Sequence, residues 1–140
     1  MTFKQHLSLT TGLTLLTLPF LEDRLCALFF WFGGIFIDVD HCVDYVRERG
    51  RFTFNLSAME GFFFNLQVKK LYCVLHSYEL LVALWCINFF FFHSSYGYSL
   101  LVGCVVHLVA DSIYNPVHWK SYFFFYRLKH EFALEKLLQK

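Results

Sequence analysis

Apolar residues gather into four stretches separated by short polar connections. They are LSLTTGLTLLTLPFL (7–21), LCALFFWFGGIFI (25–37), LYCVLHSYELLVALWCINFFFF (71–92) and YSLLVGCVVHLVADSIYN (98–115). None is a clean run of about eighteen apolar residues, and each reaches membrane-spanning length only if its polar residues are carried inside. The pattern predicts four transmembrane helices at about 5–21, 25–45, 71–92 and 98–115. Pro19 and Pro116 stand where the first and fourth helices are expected to stop. In the 46–70 connection, Ser57-Ala58-Met59-Glu60 has capping-box spacing and predicts a short helix. In the tail, 117–140, Leu128, Phe132 and Leu138 alternate with charges, as expected of a short amphipathic surface helix. There is no internal repeat, so the chain reads as one all-α membrane domain, 1–140.

Composition supports the same solvent. The chain is 57% hydrophobic, 21% aromatic and 16% charged, with 19 Phe among 140 residues. Soluble domains run near 45–50% apolar and about 25% charged. A domain this small buries a low fraction of its surface, so lipid is the expected medium for the excess. The alternative is a soluble helical domain with a Phe-rich core. The N-terminal stretch has the apolar run of a signal peptide, but Glu22-Asp23-Arg24 follow where small residues are needed for cleavage, so it is read as a retained first span. Five scattered cysteines without a Cys-x-x-Cys pair predict neither a disulfide framework nor a thiolate zinc site.

Charge sets an orientation. Arg47, Arg49, Arg51, Lys69 and Lys70 lie between the second and third stretches, and Lys120, Arg127, Lys129, Lys136 and Lys140 lie in the tail. The connection HSSYGY has no Lys or Arg. The positive-inside rule then places both termini and the 46–70 connection in the cytoplasm. Net charge of +1 with no basic stripe argues against nucleic acid as a partner.

Against this apolar background the ionisable residues are conspicuous. Charged groups within spans are costly and mark interiors or water-filled sites. At about 1.5 Å per residue in a core of about 30 Å, Asp38 falls about 9 Å from the cytoplasmic face, and Asp111 about 10 Å. His76 lies about 9 Å in and Glu79 roughly 13 Å, with His107 one turn deeper than Asp111 and His6 at the inner mouth. Helices running in opposite directions thus deliver these groups to one level. Asp40 and Asp44 share a helix face with His41 close by, and His107, Asp111 and Asn115 form a second stripe at four-residue spacing. Imidazole and carboxylate together suit Zn²⁺, Mn²⁺ or Fe²⁺. The spans contain no Lys or Arg to balance the carboxylates, so one or two divalent metals, zinc foremost, are the expected counter-charge. The expected ligands are His6, Asp40, His41, His76, His107 and Asp111. Asp38 is expected as a ligand or catalytic carboxylate and Glu79 as a general base. Asp44, Ser77, Asn115 and His118 are expected to support ligands or orient substrate.

The order of these motifs resembles that of the YdjM-like family of membrane-bound metal-dependent hydrolases. That family has an N-terminal GHL-type histidine, an LPDIDH-type motif, an HRGxTHS motif and a final His-x-x-x-Asp. Here they correspond to His6, to IDVDH at 37–41, to His76-Ser77 and to HLVAD at 107–111. Ile37 stands in place of the family Pro, and Leu71-Tyr72-Cys73 align with His-Arg-Gly. The family's metal motifs are similar to those of zinc-dependent phospholipase C. The resemblance implies an integral protein of a bacterial or archaeal cytoplasmic membrane that hydrolyses a phosphoester or lipid-type substrate through a metal-activated water. Two non-catalytic readings stand beside it: a structural metal stapling the bundle, and a small membrane subunit packing through Gly33-Gly34 and Gly103. Oligomeric state is not legible in the sequence.

Overall fold

The computed structural model describes residues 1–53 and 55–139, with Leu56 described by its backbone alone. Phe54, in the 46–70 connection, and Lys140, one of the basic residues of the tail, lie outside the described residues. The described chain is all-α. Its helices are α1 (Phe3–Thr17), α2 (Arg24–Phe36), α3 (Val39–Arg49), α4 (Leu56–Phe64), α5 (Tyr78–Ile87), α6 (Ser95–Tyr114), α7 (Phe124–Lys129) and α8 (Leu134–Leu137). Two isolated bridges, Lys70 with Ala133 and Val117 with Leu138, sew the tail onto the body.

Local chemistry accounts for the helix ends. Thr2 and Gln5 form a reciprocal capping box at the start of α1. Asp23 caps α2 by accepting from Leu25 N–H at 2.9 Å, and accepts from the Tyr96 hydroxyl at 2.6 Å, tying the first turns of α2 and α6 together. The Tyr96 hydrogen bond, and then that from Leu25, hold the exposed Asp23 carboxyl below its ordinary range. Asn55, two residues earlier than the capping residue expected from sequence, caps α4 through Ala58 N–H. Pro116 cannot continue a helix, and α6 ends at Tyr114.

Two helices dominate the packing. α2 lies against α6 over most of its length, and glycine lets their backbones meet. A Cβ on Gly33 would strike the Leu100 carbonyl, and one on Gly103 would strike the Phe30 carbonyl. Cys104 Sγ donates to the Gly33 carbonyl at 3.3 Å across this seam. α1 leans on α2 where Thr10 covers Gly34. The core continues through Ile37, Leu81, Leu101 and Leu108 to Val117, Tyr122 and Leu134 at one end of the bundle.

Three details depart from the sequence pattern. The second predicted span is interrupted at Ile37–Asp38, so the acidic cluster sits on its own helix, α3. The third is helical only from Tyr78, because residues 71–77 are drawn out of helical geometry by side chains described below. The tail is not an amphipathic surface helix: it folds back as α7 and α8, burying Arg127, Leu134 and Leu137 while Leu128 remains exposed. Among the described residues, two helical segments are long and apolar enough to cross a membrane, Arg24–Arg49 taken through its interruption and Ser95–Tyr114. Tyr78–Phe92 is apolar but shorter, and α1 has 15 residues.

The α2–α6 seam yields a direct expectation. Gly33→Ala or Gly103→Ala forces the backbones apart and lowers stability by about 1–3 kcal/mol. Gly12→Ala, with open space at its Cβ, is neutral or stabilising by about 0.5–1 kcal/mol. Chemical unfolding of the purified variants measures both, and equal midpoints for all three would refute the close-packing account.

Candidate metal centre

The site is built around a stretch of backbone with no regular partner. Residues 71–77 form neither helix nor strand, and Cys73 adopts a left-handed φ of 34°, a conformation that persists only where its surroundings enforce it. Enforcement comes from α3. Asp44 Oδ2 accepts from Tyr72 N–H at 2.7 Å and Cys73 N–H at 3.1 Å. One turn earlier, Asp40 Oδ2 accepts from Leu75 N–H at 2.8 Å and His76 N–H at 3.3 Å. From the opposite side Arg127 donates to the carbonyls of His76 at 2.8 Å, Cys73 at 3.0 Å and Ser121 at 2.9 Å. Charge-assisted hydrogen bonds of this kind are about twice as strong as neutral ones. Burial pushes the Arg127 guanidinium below its ordinary value, and nearby groups including Cys73, Asp40, Glu79 and Asp44 oppose that shift.

The clamp aims His76. Its Nδ1 lies 3.0 Å from Asp40 Oδ1, which places a proton on Nδ1 and turns Nε2 toward the centre. On α6, His107 Nδ1 donates to the Gly34 carbonyl at 2.8 Å, so its Nε2 is likewise the nitrogen turned inward. The two Nε2 atoms face each other at 3.3 Å. Asp38 Oδ1 lies 3.5 Å from His76 Nε2 and 3.3 Å from His107 Nε2. Asp111 Oδ2 lies 3.6 Å and 3.5 Å from the same two atoms. Ligands bound tetrahedrally at about 2.0–2.2 Å stand about 3.3–3.6 Å from one another. Five edges of that figure are therefore present, linking two imidazole nitrogens and two carboxylate oxygens. Such a donor set fits a divalent cation.

Two more histidines flank it. His6 stacks on His107 with centroids 3.7 Å apart and donates from Nε2 to Asp111 Oδ1 at 2.8 Å, fixing the carboxylate whose other oxygen faces the cluster. Among the described residues, the buried His6 Nδ1 has no hydrogen-bond partner. His41 Nε2 stands 3.6 Å from Asp38 Oδ1, and its Nδ1 lies 3.2 Å from Cys73 Sγ. Three overlapping groups result: Asp38, His76 and His107; His6, His107 and Asp111; and Asp40, His41, Cys73 and His76. Within each, the ligand atoms lie within 4.8 Å of one another.

The structure thus brings together His6, Asp38, Asp40, His41, His76, His107 and Asp111. It does not bring Glu79 to them: that carboxylate accepts from Phe124 N–H at 2.8 Å and Phe125 N–H at 3.2 Å, holding the first turn of α7. Ser77 donates to the Val74 carbonyl, and His118 accepts from Lys120 N–H at 3.1 Å in the tail. Asn115 touches the Met1 amine and donates to the Tyr122 hydroxyl at 3.0 Å. Sequence reasoning missed Arg127, reading it as one of the tail's cytoplasmic charges, and so missed the positive charge that the acidic cluster does possess. Its signal was a single arginine enclosed by FFFY and Leu. Cys73 entered only as one of five scattered cysteines, although its sulfur meets both His41 and Asp44.

The cluster opens onto a cavity of about 840 Å³. Asp38, His41, His76 and Asp111 form its polar end, and α4 contributes Met59 and Phe63 to its wall. α4 is fastened over it by Phe3 N–H donating to Glu60 at 2.6 Å. Comparison of the chain with protein-family models, with curated proteins and with solved structures returned no match.

Asp40→Ala releases both the His76 ring and two backbone donors, so metal affinity falls by about 10–100-fold. Glu79→Ala acts on α7 and leaves affinity within about twofold, as expected of separate sites. Metal-competition titration of the purified variants decides the contrast, and equal losses would refute the assignment.

Proposed function

We propose that this chain is an integral membrane hydrolase that uses one tightly held divalent metal, zinc foremost, to cleave a phosphoester at the cytoplasmic side. The observation that carries the reading is five distances of 3.3–3.6 Å that link His76 Nε2 and His107 Nε2 to each other and each of them to Asp38 Oδ1 and Asp111 Oδ2. Two imidazoles with carboxylates suit Zn²⁺, with Mn²⁺ or Fe²⁺ as further occupants, and His6 or His41 extends the set for a second ion. The order of motifs, similar to that of the YdjM-like hydrolases, supports the same reaction class.

Membrane residence rests on exposure. In the two long apolar segments only 33% and 39% of the most apolar stretch is buried by the chain itself. A core helix of a soluble protein is mostly buried. Exposed Phe90, Phe91 and Phe92 extend the apolar belt. We place α1 and Tyr78–Phe92 in the bilayer as the remaining two of four spans, with both termini cytoplasmic, as the distribution of Lys and Arg requires.

In this reading His76, His107 and Asp111 hold the metal, and all three side chains are at most 3% exposed. A divalent metal there polarises the phosphoryl oxygens and lowers the pKa of water. Asp38 is the accessible member of the set, its side chain 18% exposed and lining the cavity. It takes the proton of the attacking water as the new P–O bond forms, and returns it to the alcohol oxygen as the ester P–O bond breaks. Asp40 and His6 orient His76 and Asp111. A purely structural metal is the competing reading, favoured by the number of His and carboxylate groups gathered at the centre.

Asp38→Asn separates the two. Catalysis predicts metal content kept at about one per chain, with phosphoester turnover reduced by about 10²–10⁴-fold. His107→Ala and His76→Ala are expected to lose both. Elemental analysis alongside hydrolysis of a chromogenic phosphate ester reads the outcome. Wild-type protein that holds metal and hydrolyses no phosphoester refutes the enzyme reading.

A further inference from the structure

The cavity beside the metal centre carries more information than the centre itself. Its 840 Å³ falls within the range of about 300–1,000 Å³ typical of small-molecule sites. Its walls are largely apolar, with Met59, Phe63, Leu66, Val68 and Leu71 on one side and Val117 and Leu134 on the other. The polar side chains that also line it are turned to partners within the protein. Glu60 holds Phe3 N–H, Gln139 Nε2 donates to the Val117 carbonyl, and Ser121 Oγ donates to the Leu137 carbonyl. Asn115 is engaged by Tyr122, and Arg127 by three carbonyls. Most of these donors and acceptors are engaged, so a sugar or nucleotide placed here would give up much of its hydration without equivalent partners, an unfavourable exchange. A hydrocarbon chain would not.

The mouth points the same way. Phe64, Leu66, Ile113 and Tyr114 line the cavity and are also exposed, Phe64 at 77% and Tyr114 at 70%. The opening therefore lies between α4 and the last turn of α6, rimmed by apolar side chains at the end of a candidate span. An aromatic rim at that level belongs to a membrane–water interface, and a path across it leads from lipid to the cluster without crossing bulk water.

We propose that the cavity takes one hydrocarbon chain of a membrane phospholipid, entering laterally between α4 and α6, with the lipid's phosphoester at the polar end beside Asp38. This rests on the hydrolase reading and narrows its substrate to a chain-bearing phosphoester. α4 forms the roof, pinned by Glu60 over α1 and by the Phe63 ring 4.7 Å from that of His41.

The test is photo-crosslinking of the full chain in lipid nanodiscs that contain phosphatidic acid with a diazirine near the end of one acyl chain. Labelled peptides are mapped by mass spectrometry, with zinc present and after its removal. Label is expected within 59–71 and at Leu134, and is lost from these positions in Met59→Trp, whose indole fills the cavity. Label confined to the outer faces of α2 and Tyr78–Phe92 overturns the proposal. So does hydrolysis of a water-soluble phosphate monoester at the same kcat/KM as the chain-bearing one, an outcome that leaves the enzyme reading standing. Cavity label without hydrolysis of any phosphoester retains the chain site and removes the enzyme reading.

Discussion

Seven residues of backbone, 71–77, run past the candidate centre outside any helix or sheet, and three charged side chains supply most of the hydrogen bonds that hold them. Asp44 and Asp40, one turn apart on α3, accept four consecutive-pair amides of residues 72, 73, 75 and 76. Arg127 takes the carbonyls of 73 and 76 from the other side. A buried amide or carbonyl left unpaired costs on the order of 1–3 kcal/mol, so the segment is stable only while both jaws are present. The clamp also neutralises itself in part, because the guanidinium stands near the carboxylates that need it. His76 inherits its position from this arrangement, and the metal centre inherits its geometry from His76.

The other half of the centre depends on glycine. His107 is fixed by the Gly34 carbonyl, which it reaches because α2 and α6 approach at Gly33 and Gly103 without side chains between them. A wider seam would move His107 away from His76 and open the 3.3 Å approach of their Nε2 atoms. Helix packing and ligand geometry are thus one constraint. The seam that reads as a generic small-residue contact sets the distance between two imidazoles.

Much of this was legible in the sequence. The helical class followed from apolar stretches, and the convergence of His6, Asp38, Asp40, His41, His76, His107 and Asp111 followed from depth along helices of alternating direction. The grouping appeared although Asp38 stands at the break between α2 and α3 and His76 lies before α5, so uniform helical rise was only an approximate guide. That reasoning placed residues by depth and was blind to which oxygen meets which nitrogen, so it could not separate Asp40, whose oxygens serve the 75–76 backbone and the His76 ring, from Asp38, which faces the cavity. Residues 71–77 read as helix because their apolar pattern continues into α5, and pattern carries no sign of a tertiary clamp. Arg127 and Glu79 were misplaced for one reason: the tail was treated as surface, whereas it folds under the bundle, burying Leu134 and Leu137 and capping α7 with Glu79.

The clamp's two jaws are far apart in the order of synthesis. Asp40 and Asp44 precede the segment they hold, while Arg127 follows His76 by 51 residues and Cys73 by 54. A nascent chain whose α6 has only just been made already has every histidine and carboxylate of the centre, yet the carbonyl side of the turn is unheld. The geometry is completed only when the polypeptide after α6 has emerged and folded back beneath the bundle. The centre is in this sense a property of the whole helical body, closed by chain that carries none of its candidate ligands.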